Sequence, residues 1–307
     1  MSELCDPSAT KAGFVTILGK PNVGKSTLLN ALVGAKVSIT SRRAQTTRDA
    51  IQGVLSEARG QIVFVDSPGV HDPAKQLGKR MMREVGRAAQ GCHAALLLVD
   101  ASMGVNPSDE RALAVAKGLG APLLLLANKV DKLHRREDLL PFLDLCRKLH
   151  EFEEFIPISA TKRINLDKVL AALFKALPES PRFYPEGYLT DQPEKFFAAE
   201  LIRERILRET HDELPHSVAV QVDLWDETSP QLGIFATVIV ERKGQKAILL
   251  GKNGQKMKEL ASKARQSLEA RLDRRVRLEV FVEVRKNWRN NNGFVQDLDF
   301  RRILGQG

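Results

Sequence analysis

The eight residues Gly19–Ser26 constrain the fold of this chain more than any other feature of its sequence. They read Gly-Lys-Pro-Asn-Val-Gly-Lys-Ser and match the pattern G-x-x-x-x-G-K-[ST] without a gap. An apolar predicted strand, Gly13–Leu18, precedes them and a predicted helix begins at Lys25, which is the context of a phosphate-binding loop. The glycines let backbone N–H groups wrap phosphates, and the helix N-terminus adds its dipole. The motif therefore predicts an α/β domain that binds a nucleotide.

Apolar strands and helical stretches alternate from Ala12 to about Ala176. Predicted strands span Gly13–Leu18, Ala50–Ser56, Gln61–Val65, Ala94–Val99, Leu123–Ala127 and Phe155–Ile158, and predicted helices begin near Lys25, Lys75, Ser108, Glu137 and Asn165. Strands separated by helices indicate a parallel sheet covered on both faces. Only the pair around the Arg59–Gly60 turn predicts an antiparallel hairpin. We expect a mostly parallel six-stranded sheet.

A different pattern follows a proline-rich stretch. Pro178, Pro181, Pro185 and Pro193 fall within Leu177–Lys195 and predict a linker. After it the periodicity predicts helix, strand, strand, helix, helix, strand, which is a smaller α+β domain. The expected organisation is an N-terminal tail at 1–11, a nucleotide-binding domain at 12–177, a linker at 178–194, a second domain at 195–290 and a tail at 291–307.

Composition excludes several classes of protein. The three cysteines, Cys5, Cys92 and Cys146, lie too far apart for a disulfide scaffold or a Cys-based zinc site. The longest apolar runs, Ala94–Val99 and Pro122–Ala127, are far shorter than the roughly 20 residues of a membrane-spanning helix. The N-terminus has acidic residues and no apolar stretch typical of a signal peptide. We expect a soluble cytoplasmic protein.

The basic charge of the chain is concentrated in one segment. The sequence has 47 Lys+Arg and 38 Asp+Glu, a net charge of +9, and Arg242–Arg277 alone contains twelve basic and three acidic residues. The preceding segment, Gln192–Glu241, has four basic and ten acidic residues. Such a run is typical of a solvated helix face, with a polyanionic partner as the alternative. The motif within the run decides between them.

Three further motifs each follow a predicted strand. Asp66-Ser67-Pro68-Gly69 places a carboxylate where it can reach a Mg²⁺ ion and a glycine N–H where it can reach a γ-phosphate, although D-x-P-G alone is typical of a turn. Asn128-Lys129-Val130-Asp131 supplies a carboxylate that can accept from both N1–H and the exocyclic amine of guanine, a pair that adenine does not offer. Ser159-Ala160 can donate a backbone N–H to the guanine O6. Together they favour guanine.

In this order, the motifs resemble those of translation-factor-class GTPases, and Ile39–Arg48 resembles switch I of the Era family. In that family a switch I threonine joins the Mg²⁺ shell. The resemblance gives this role to Thr47, with Thr46 as the alternative, whereas a simple strand start at Ala50 is the competing interpretation. It implies GTP, GDP and Mg²⁺ as cofactors, with metal ligands Ser26, Thr47 and Asp66. The implied nucleotide contacts are Gly19, Lys20, Pro21, Asn22, Val23, Gly24, Lys25, Ser26, Thr27, Asp66, Ser67, Pro68, Gly69, Asn128, Lys129, Asp131, Ser159 and Ala160.

One position departs from the Ras pattern. Ras-type enzymes have, after the switch II glycine, a glutamine that orients the attacking water, but this chain has Val70. A valine side chain cannot form a hydrogen bond with water, and Gln61 is no obvious substitute for the missing glutamine. We therefore expect slow intrinsic hydrolysis of GTP. Related GTPases with an asparagine in the P-loop use it to help hold K⁺, and Asn22 matches that position, which implies K⁺ as a further cofactor. The catalytic candidates are Lys25, Thr47, Gly69 and Asn22.

The motif Gly251-Lys252-Asn253-Gly254 lies inside the basic segment, between two predicted helices. G-x-x-G is a weak pattern alone, but with this element order it resembles a type II KH domain, whose loop clamps about four nucleotides. Residues 248–250 and 234–240 would form the apolar wall of the groove. The implied RNA contacts are Ile248, Gly251, Lys252, Asn253, Gly254, Lys256 and Lys258.

A P-loop GTPase, a Pro-rich linker and one KH module form the layout of the Era family. The resemblance implies binding to the 3′ end of 16S rRNA and to the 30S subunit during its maturation. No DNA partner is expected, the tail after Trp288 is given no role, and peripheral association with the inner membrane face is a further expectation. An RNA-binding assembly factor without functional turnover is the main alternative, and a P-loop ATPase or kinase is a third.

Overall fold

A computed structural model describes residues 10–41, 43, 45–71, 73, 75–133, 135–210 and 214–299. Its described residues divide into two compact units. The nucleotide unit takes Met1–Thr40, Thr47–Asp72 and Arg80–Asp191, and the second unit takes Ser41–Thr46, Pro73–Lys79 and Gln192–Gly307. The division after Asp191 falls within the predicted linker. Arg42 and Ala44 of the predicted switch I segment, residues 1–9 of the predicted N-terminal tail and residues 300–307 of the predicted C-terminal tail lie outside the described residues.

The nucleotide unit is built around a six-stranded sheet. Its strands are β1 (Lys11–Leu18), β2 (Ile51–Glu57), β3 (Gly60–Asp66), β4 (Ala94–Asp100), β5 (Leu123–Asn128) and β6 (Glu154–Pro157). They lie in the order β2-β3-β1-β4-β5-β6. Every pair is parallel except β2 and β3, which form the hairpin expected around Arg59–Gly60. The prediction of a mostly parallel six-stranded sheet is confirmed.

Five helices accompany the sheet: α1 (Lys25–Val33), α2 (Gln76–Ala89), α3 (Pro107–Lys117), α4 (Leu139–Leu149) and α5 (Leu166–Ala176). The central strands β3, β4 and β5 are buried along their whole length, as expected of a parallel sheet covered on both faces. Because parallel strands end at the same edge, the motifs that follow β1, β3, β5 and β6 come together there.

Helix α3 begins at a capping box that also positions a residue used by the P-loop. The Asn106 side chain accepts a hydrogen bond from the Ser108 N–H at 3.0 Å. In return, Asp109 Oδ2 accepts one from the Asn106 N–H at 3.1 Å. This reciprocal arrangement satisfies two N–H groups at the helix start and fixes the orientation of the Asp109 carboxylate.

The predicted linker is docked along the β2–β3 hairpin. Gln61 is fully buried and its side chain makes four hydrogen bonds. Its Oε1 accepts from the N–H groups of Phe183 and Tyr184 at 2.8 and 2.9 Å, and its Nε2 donates to Tyr184 O and Ser56 Oγ, both at 2.9 Å. Gln61 therefore holds the chain after α5 in place, which explains why it is not available to a bound nucleotide.

Strand β2 is held by the end of the same segment. The Val54 N–H donates to Leu189 O at 2.9 Å. The Thr190 hydroxyl donates to Gln52 O at 2.8 Å, and the Gln52 N–H donates to Asp191 Oδ1 at 3.2 Å. Residues 182–191 are thus an integral part of the nucleotide unit.

The second unit contains α6 (Glu194–Glu209), β7 (Ala219–Asp226), β8 (Leu232–Val240), α7 (Lys243–Leu250), α8 (Gln255–Leu272), β9 (Val276–Val284) and α9 (Asn292–Asp297). Strands β7 and β8 are antiparallel, and β8 and β9 are parallel. The predicted order of helices and strands is confirmed, and α9 is an additional helix that the periodicity did not predict. None of the described helices is long and apolar enough to cross a membrane.

The core of the second unit lies on one face of its sheet. Ile234, Ala236 and Val238 of β8 are completely buried. They alternate with the more accessible Phe235 and Thr237, as a strand with one covered face requires. Buried residues of α6 and α8 complete this core: Ala198, Leu201, Ile202, Leu260, Ala264 and Leu268.

Candidate functional site

The loop between β1 and α1 is a backbone cradle that needs its glycines. Gly19 and Gly24 have positive φ angles of 151° and 109°. A Cβ atom on Gly19 would lie 2.7 Å from Leu98 O, and one on Gly24 would lie 2.5 Å from Asn128 Nδ2. Helix α1 begins at Lys25, and its N-cap residue, Gly24, provides no side-chain cap, so the first N–H groups of the helix are available to an anion.

Lys25 is buried at the centre of this cradle. Its Nζ donates to the carbonyl oxygens of Gly19 and Lys20, both at 3.0 Å. Burial lowers the pKa of Lys25 to about 8, although the nearby Asp66 opposes the shift. Among the described residues, the hydrogen-bond partners of this buried cation are carbonyl oxygens, so the cation is well suited to binding phosphate oxygens.

Lys20 uses its side chain differently from its neighbours in the loop. Its Nζ donates to Asp109 Oδ2 of α3 at 2.8 Å, and both side chains are almost fully buried. The ion pair ties the P-loop to the capping box at the start of α3. The Lys20 side chain therefore anchors the loop, while its backbone faces Lys25.

Hydroxyl groups converge on the carboxylate of Asp66 at the end of β3. Its Oδ2 accepts from Ser26 Oγ at 2.7 Å, from Ser38 Oγ at 3.2 Å and from Thr47 Oγ1 at 3.4 Å. The Ser26 and Thr47 oxygens lie 2.7 Å apart. Burial raises the pKa of Asp66, against the opposing effects of Lys25 and the three hydroxyls.

This oxygen cluster fits a hard cation. Asp66 Oδ1 is buried and has no hydrogen-bond partner among the described residues. A free carboxylate oxygen beside two hydroxyl oxygens is a ligand set that suits Mg²⁺, which takes few protein ligands and completes its shell with water and phosphate. Within the described part of the chain, no group of three His, Cys, Asp or Glu side chains offers an alternative metal site.

Sequence reasoning missed Ser38 and its support. Asn30 of α1 accepts from the N–H groups of Val37 and Ser38, both at 2.9 Å, and donates to Ser38 O at 2.7 Å. Ser38 is buried and in turn contacts Asp66. Asn30 thus fixes the start of the predicted switch I segment.

The motifs after β5 and β6 meet at the other end of the loop. Asn128 donates to Val23 O at 2.8 Å and accepts from the Ala160 N–H at 3.1 Å, so it joins three segments. Ser159 Oγ donates to Asp131 Oδ1 at 2.5 Å, which orients that carboxylate. The predicted base-recognition residues are brought together.

Lys129 supports the same region and has a partner that sequence reasoning missed. Its Nζ donates to Asn22 O at 2.8 Å and to Asp100 Oδ2 at 2.6 Å. Burial of Asp100 acts to raise the pKa of its carboxyl, but the hydrogen bonds from Lys129 and Ser102 outweigh it and hold that pKa below its usual range. Asp100 is the last residue of β4, and an acidic residue at the carboxyl end of an apolar strand is the sequence signal that could have found it.

Gly69 lies directly against the P-loop. A Cβ atom there would lie 2.8 Å from Pro21 Cα, so only glycine allows this approach. The next residue, Val70, donates its N–H to Gly19 O at 3.2 Å, and its buried side chain packs into the hydrophobic core. The Val70 side chain is therefore a core residue and takes no polar role at the site.

The G-x-x-G loop is exposed on the second unit. Gly251 and Gly254 have positive φ angles of 67° and 75°, and Lys252–Gly254 form a single 3₁₀ turn. Lys252, Asn253 and the nearby Lys258 are exposed, and Lys256 is half-buried.

The apolar groups beside this loop are only partly available. Ile248 is 53% exposed, whereas Leu249 is completely buried in the core. The loop therefore offers backbone, cationic and apolar groups together, with Ile248 as the accessible apolar side chain.

Comparison with known proteins gives the family. Residues 14–129 match a family model described as a 50S ribosome-binding GTPase, and residues 213–289 match a KH domain model. A crystal structure of Era in complex with MgGDPNP and nucleotides 1506–1542 of 16S ribosomal RNA is 39% identical, with a TM-score of 0.92, and the match covers 95% of this chain and 99% of that one. The chain belongs to the Era family. A variant of Aquifex aeolicus Era bound to GDP·AlF4⁻ matches with the same identity and coverage and a TM-score of 0.91.

Membership of the Era family confirms two predictions. The fold is a P-loop GTPase domain followed by a C-terminal KH domain. The activity is GTP hydrolysis, which produces GDP and phosphate. The P-loop ATPase and kinase interpretations are thereby excluded.

Proposed function

We propose that this Era-family GTPase is a nucleotide-controlled switch that binds the 3′ end of 16S rRNA through its KH domain and acts in maturation of the 30S subunit. The observation that carries this proposal is the similarity, along nearly the whole chain, to Era in complex with MgGDPNP and that rRNA segment. The description of the matched family model names the 50S ribosome, which is the large subunit. We favour the small subunit because the RNA in the Era complex is 16S.

In this proposal the P-loop holds the phosphates of GTP. The backbone N–H groups of Gly19–Ser26, other than Pro21, which has none, and of Thr27 would surround them, and Lys25 would exchange its two carbonyl partners for phosphate oxygens. Asn128 would hold the P-loop in place through its hydrogen bond to Val23 O, and Asp131, oriented by Ser159, would accept hydrogen bonds from guanine. We give Asn128 a structural role because its side chain already makes hydrogen bonds to the protein, and we give Asp131 the role of binding guanine.

Ser26, Thr47 and Asp66 would hold Mg²⁺ at the phosphate end. When bound, this ion neutralises charge on the phosphates. Ser26 Oγ and Thr47 Oγ1 are already within 2.7 Å of each other, so little rearrangement of the two hydroxyls is required. Gly69 approaches Pro21 closely, and its own N–H would donate to the γ-phosphate.

The switch would act through the segments that carry Thr47 and Gly69. Contacts of both segments with the γ-phosphate order them in the GTP state, and hydrolysis removes those contacts. The KH loop would hold RNA through backbone groups, Lys252 and Asn253, with Lys256 and Lys258 extending the positive surface. Nucleotide state and RNA affinity are then linked, and each must affect the other equally.

Three finer points complete the proposal. Asn22 would help to hold K⁺, and equal hydrolysis rates in Na⁺ and K⁺ would contradict this. The protein would act in the cytoplasm, where its rRNA partner is, and peripheral association with the inner membrane face is a secondary proposal.

Measurement of the linkage tests the proposal. A labelled RNA with the 16S 3′-end sequence should bind more tightly to the GDPNP-bound protein than to the GDP-bound protein. Single-turnover GTP hydrolysis should be faster with 30S subunits than without them. Equal RNA affinity in both nucleotide states would refute the switch, and tight RNA binding with unaltered hydrolysis would favour an assembly factor in which turnover is incidental.

A further inference from the structure

His71 lies two residues after Gly69, and none of the functions predicted from the sequence involves it. The position that carries a water-orienting glutamine in Ras-type enzymes is Val70, whose side chain is buried in the core. We propose that His71 is a catalytic residue that orients the attacking water through its Nε2 atom. This inference rests on the proposed nucleotide site, because it requires the γ-phosphate to lie beside Gly69.

The hydrogen bond of the ring determines which nitrogen carries the proton. His71 Nδ1 lies 2.7 Å from Gly69 O. A carbonyl oxygen only accepts, so Nδ1 is the donor and, in the neutral imidazole, Nε2 has the free lone pair. The ring is therefore set to accept a hydrogen bond at Nε2.

Among the described residues, that acceptor has no hydrogen-bond partner. His71 Nε2 is buried, and the described residues place no hydrogen-bond donor next to it. Leaving a buried acceptor unpaired is unfavourable. A water molecule is the simplest donor that would satisfy it, and in this proposal that water is the one that attacks the γ-phosphate.

The backbone that carries His71 is anchored to the P-loop. The Val70 N–H donates to Gly19 O at 3.2 Å, and Gly69 packs directly against Pro21. The ring is bonded to the carbonyl of the same glycine whose N–H we place at the γ-phosphate. Its position is thereby coupled to the reacting group.

The step needs orientation rather than full deprotonation. The water oxygen forms a bond to the γ-phosphorus, the bond from that phosphorus to the bridging oxygen of GDP breaks, and the water proton passes to the phosphate that is formed. The transition state is loose, so a group that accepts a hydrogen bond from the water contributes mainly by positioning it. His71 Nε2 supplies that acceptor.

Two substitutions separate this role from a structural one. In His71→Asn the amide can occupy the position of Nδ1 and keep the bond to Gly69 O, but nothing replaces Nε2. In His71→Gln the longer side chain can place its amide near the position of Nε2, while the bond to Gly69 O is lost. GDPNP affinity is measured first in both, with the full chain and Mg²⁺, so that failure of the nucleotide site is recognised separately.

We expect His71→Asn to bind GDPNP normally and to hydrolyse GTP about 100-fold more slowly in a single turnover, at the low end for a positioned proton acceptor. His71→Gln should stay within about tenfold of the unmodified protein. His71→Asn should also fail to trap GDP with AlF4⁻, which mimics the transition state. A normal rate in His71→Asn, whatever the rate of His71→Gln, would overturn the proposal, and so would equal losses in both variants.

Discussion

Removal of the Lys20 side chain should destabilise the nucleotide unit more than is usual for a lysine in a loop, because this side chain is almost fully buried. In Lys20→Met, Asp109 loses the partner that lies 2.8 Å from its Oδ2. The carboxylate is 2% exposed, and its Oδ1 has no hydrogen-bond partner among the described residues. Breaking a buried ion pair in this way costs about 3–5 kcal/mol because it leaves an uncompensated charge. We expect a loss in that range.

A second substitution tests the cause of that loss. In the unmodified protein the Asn106 N–H donates to Asp109 Oδ2 at 3.1 Å. The substitution Asp109→Asn removes the charge of this side chain and keeps an oxygen that can accept that hydrogen bond. The double variant Lys20→Met, Asp109→Asn should therefore recover at least about 1 kcal/mol relative to Lys20→Met alone. Asp144→Asn is the matched control, because Asp144 and its partner Arg147 are both more than 60% exposed. It should change stability by less than about 0.5 kcal/mol.

Guanidinium unfolding can follow the two units separately. Trp225 and Trp288 are the two tryptophans of the chain, and both belong to the second unit. Their emission reports unfolding of that unit, while far-UV circular dichroism also reports the nucleotide unit. Lys20→Met should shift only the circular dichroism transition. A loss below about 1 kcal/mol, as for a surface pair, would refute the reasoning.

Three further predictions concern the nucleotide and RNA sites. Asp131→Asn turns an acceptor into a donor, so it should weaken GTP binding and favour xanthosine nucleotides; unchanged GTP affinity would contradict the guanine assignment. Lys252→Asp with Asn253→Asp should weaken RNA binding by at least about 100-fold in a filter-binding assay and leave intrinsic GTP hydrolysis intact. Because the pKa of Lys25 is lowered to about 8 and phosphates favour its charged form, GTP affinity should fall above pH 8. Calorimetry in two buffers should then show uptake of about one proton at pH 9, and no uptake would contradict this.

Local patterns account for what the sequence could predict. The P-loop, its strand and its helix are encoded within about twenty consecutive residues, and the strands after it are continuous apolar runs. Helix α4 shows the limit of this approach. We expected it near Glu137, but it begins at Leu139 after a 3₁₀ turn at Arg136–Asp138. Pro141 lacks an N–H and is tolerated only in the first turn, which fixes the start of the helix close to it.

Long-range side-chain partners could not be predicted. Lys20 and Asp109 are 89 positions apart, and the pairing of Gln61 with Tyr184 spans 123. Each of these residues is polar and typical of a surface, so periodicity gives no sign that it is buried. Four prolines correctly excluded a helix or central strand after α5, but a proline-rich segment can lie free or be docked. Only the fold decides between these two cases.

The docked segment after α5 has a practical consequence for division of the chain. Strand β2 is the end strand of the six-stranded sheet, and the N–H groups of Gln52 and Val54 are satisfied by Asp191 and Leu189. A fragment that stops at Leu177 would expose these groups as an open sheet edge, which is a template for aggregation. It would also leave the buried amide of Gln61 without most of its partners. An isolated GTPase domain should therefore extend through Asp191.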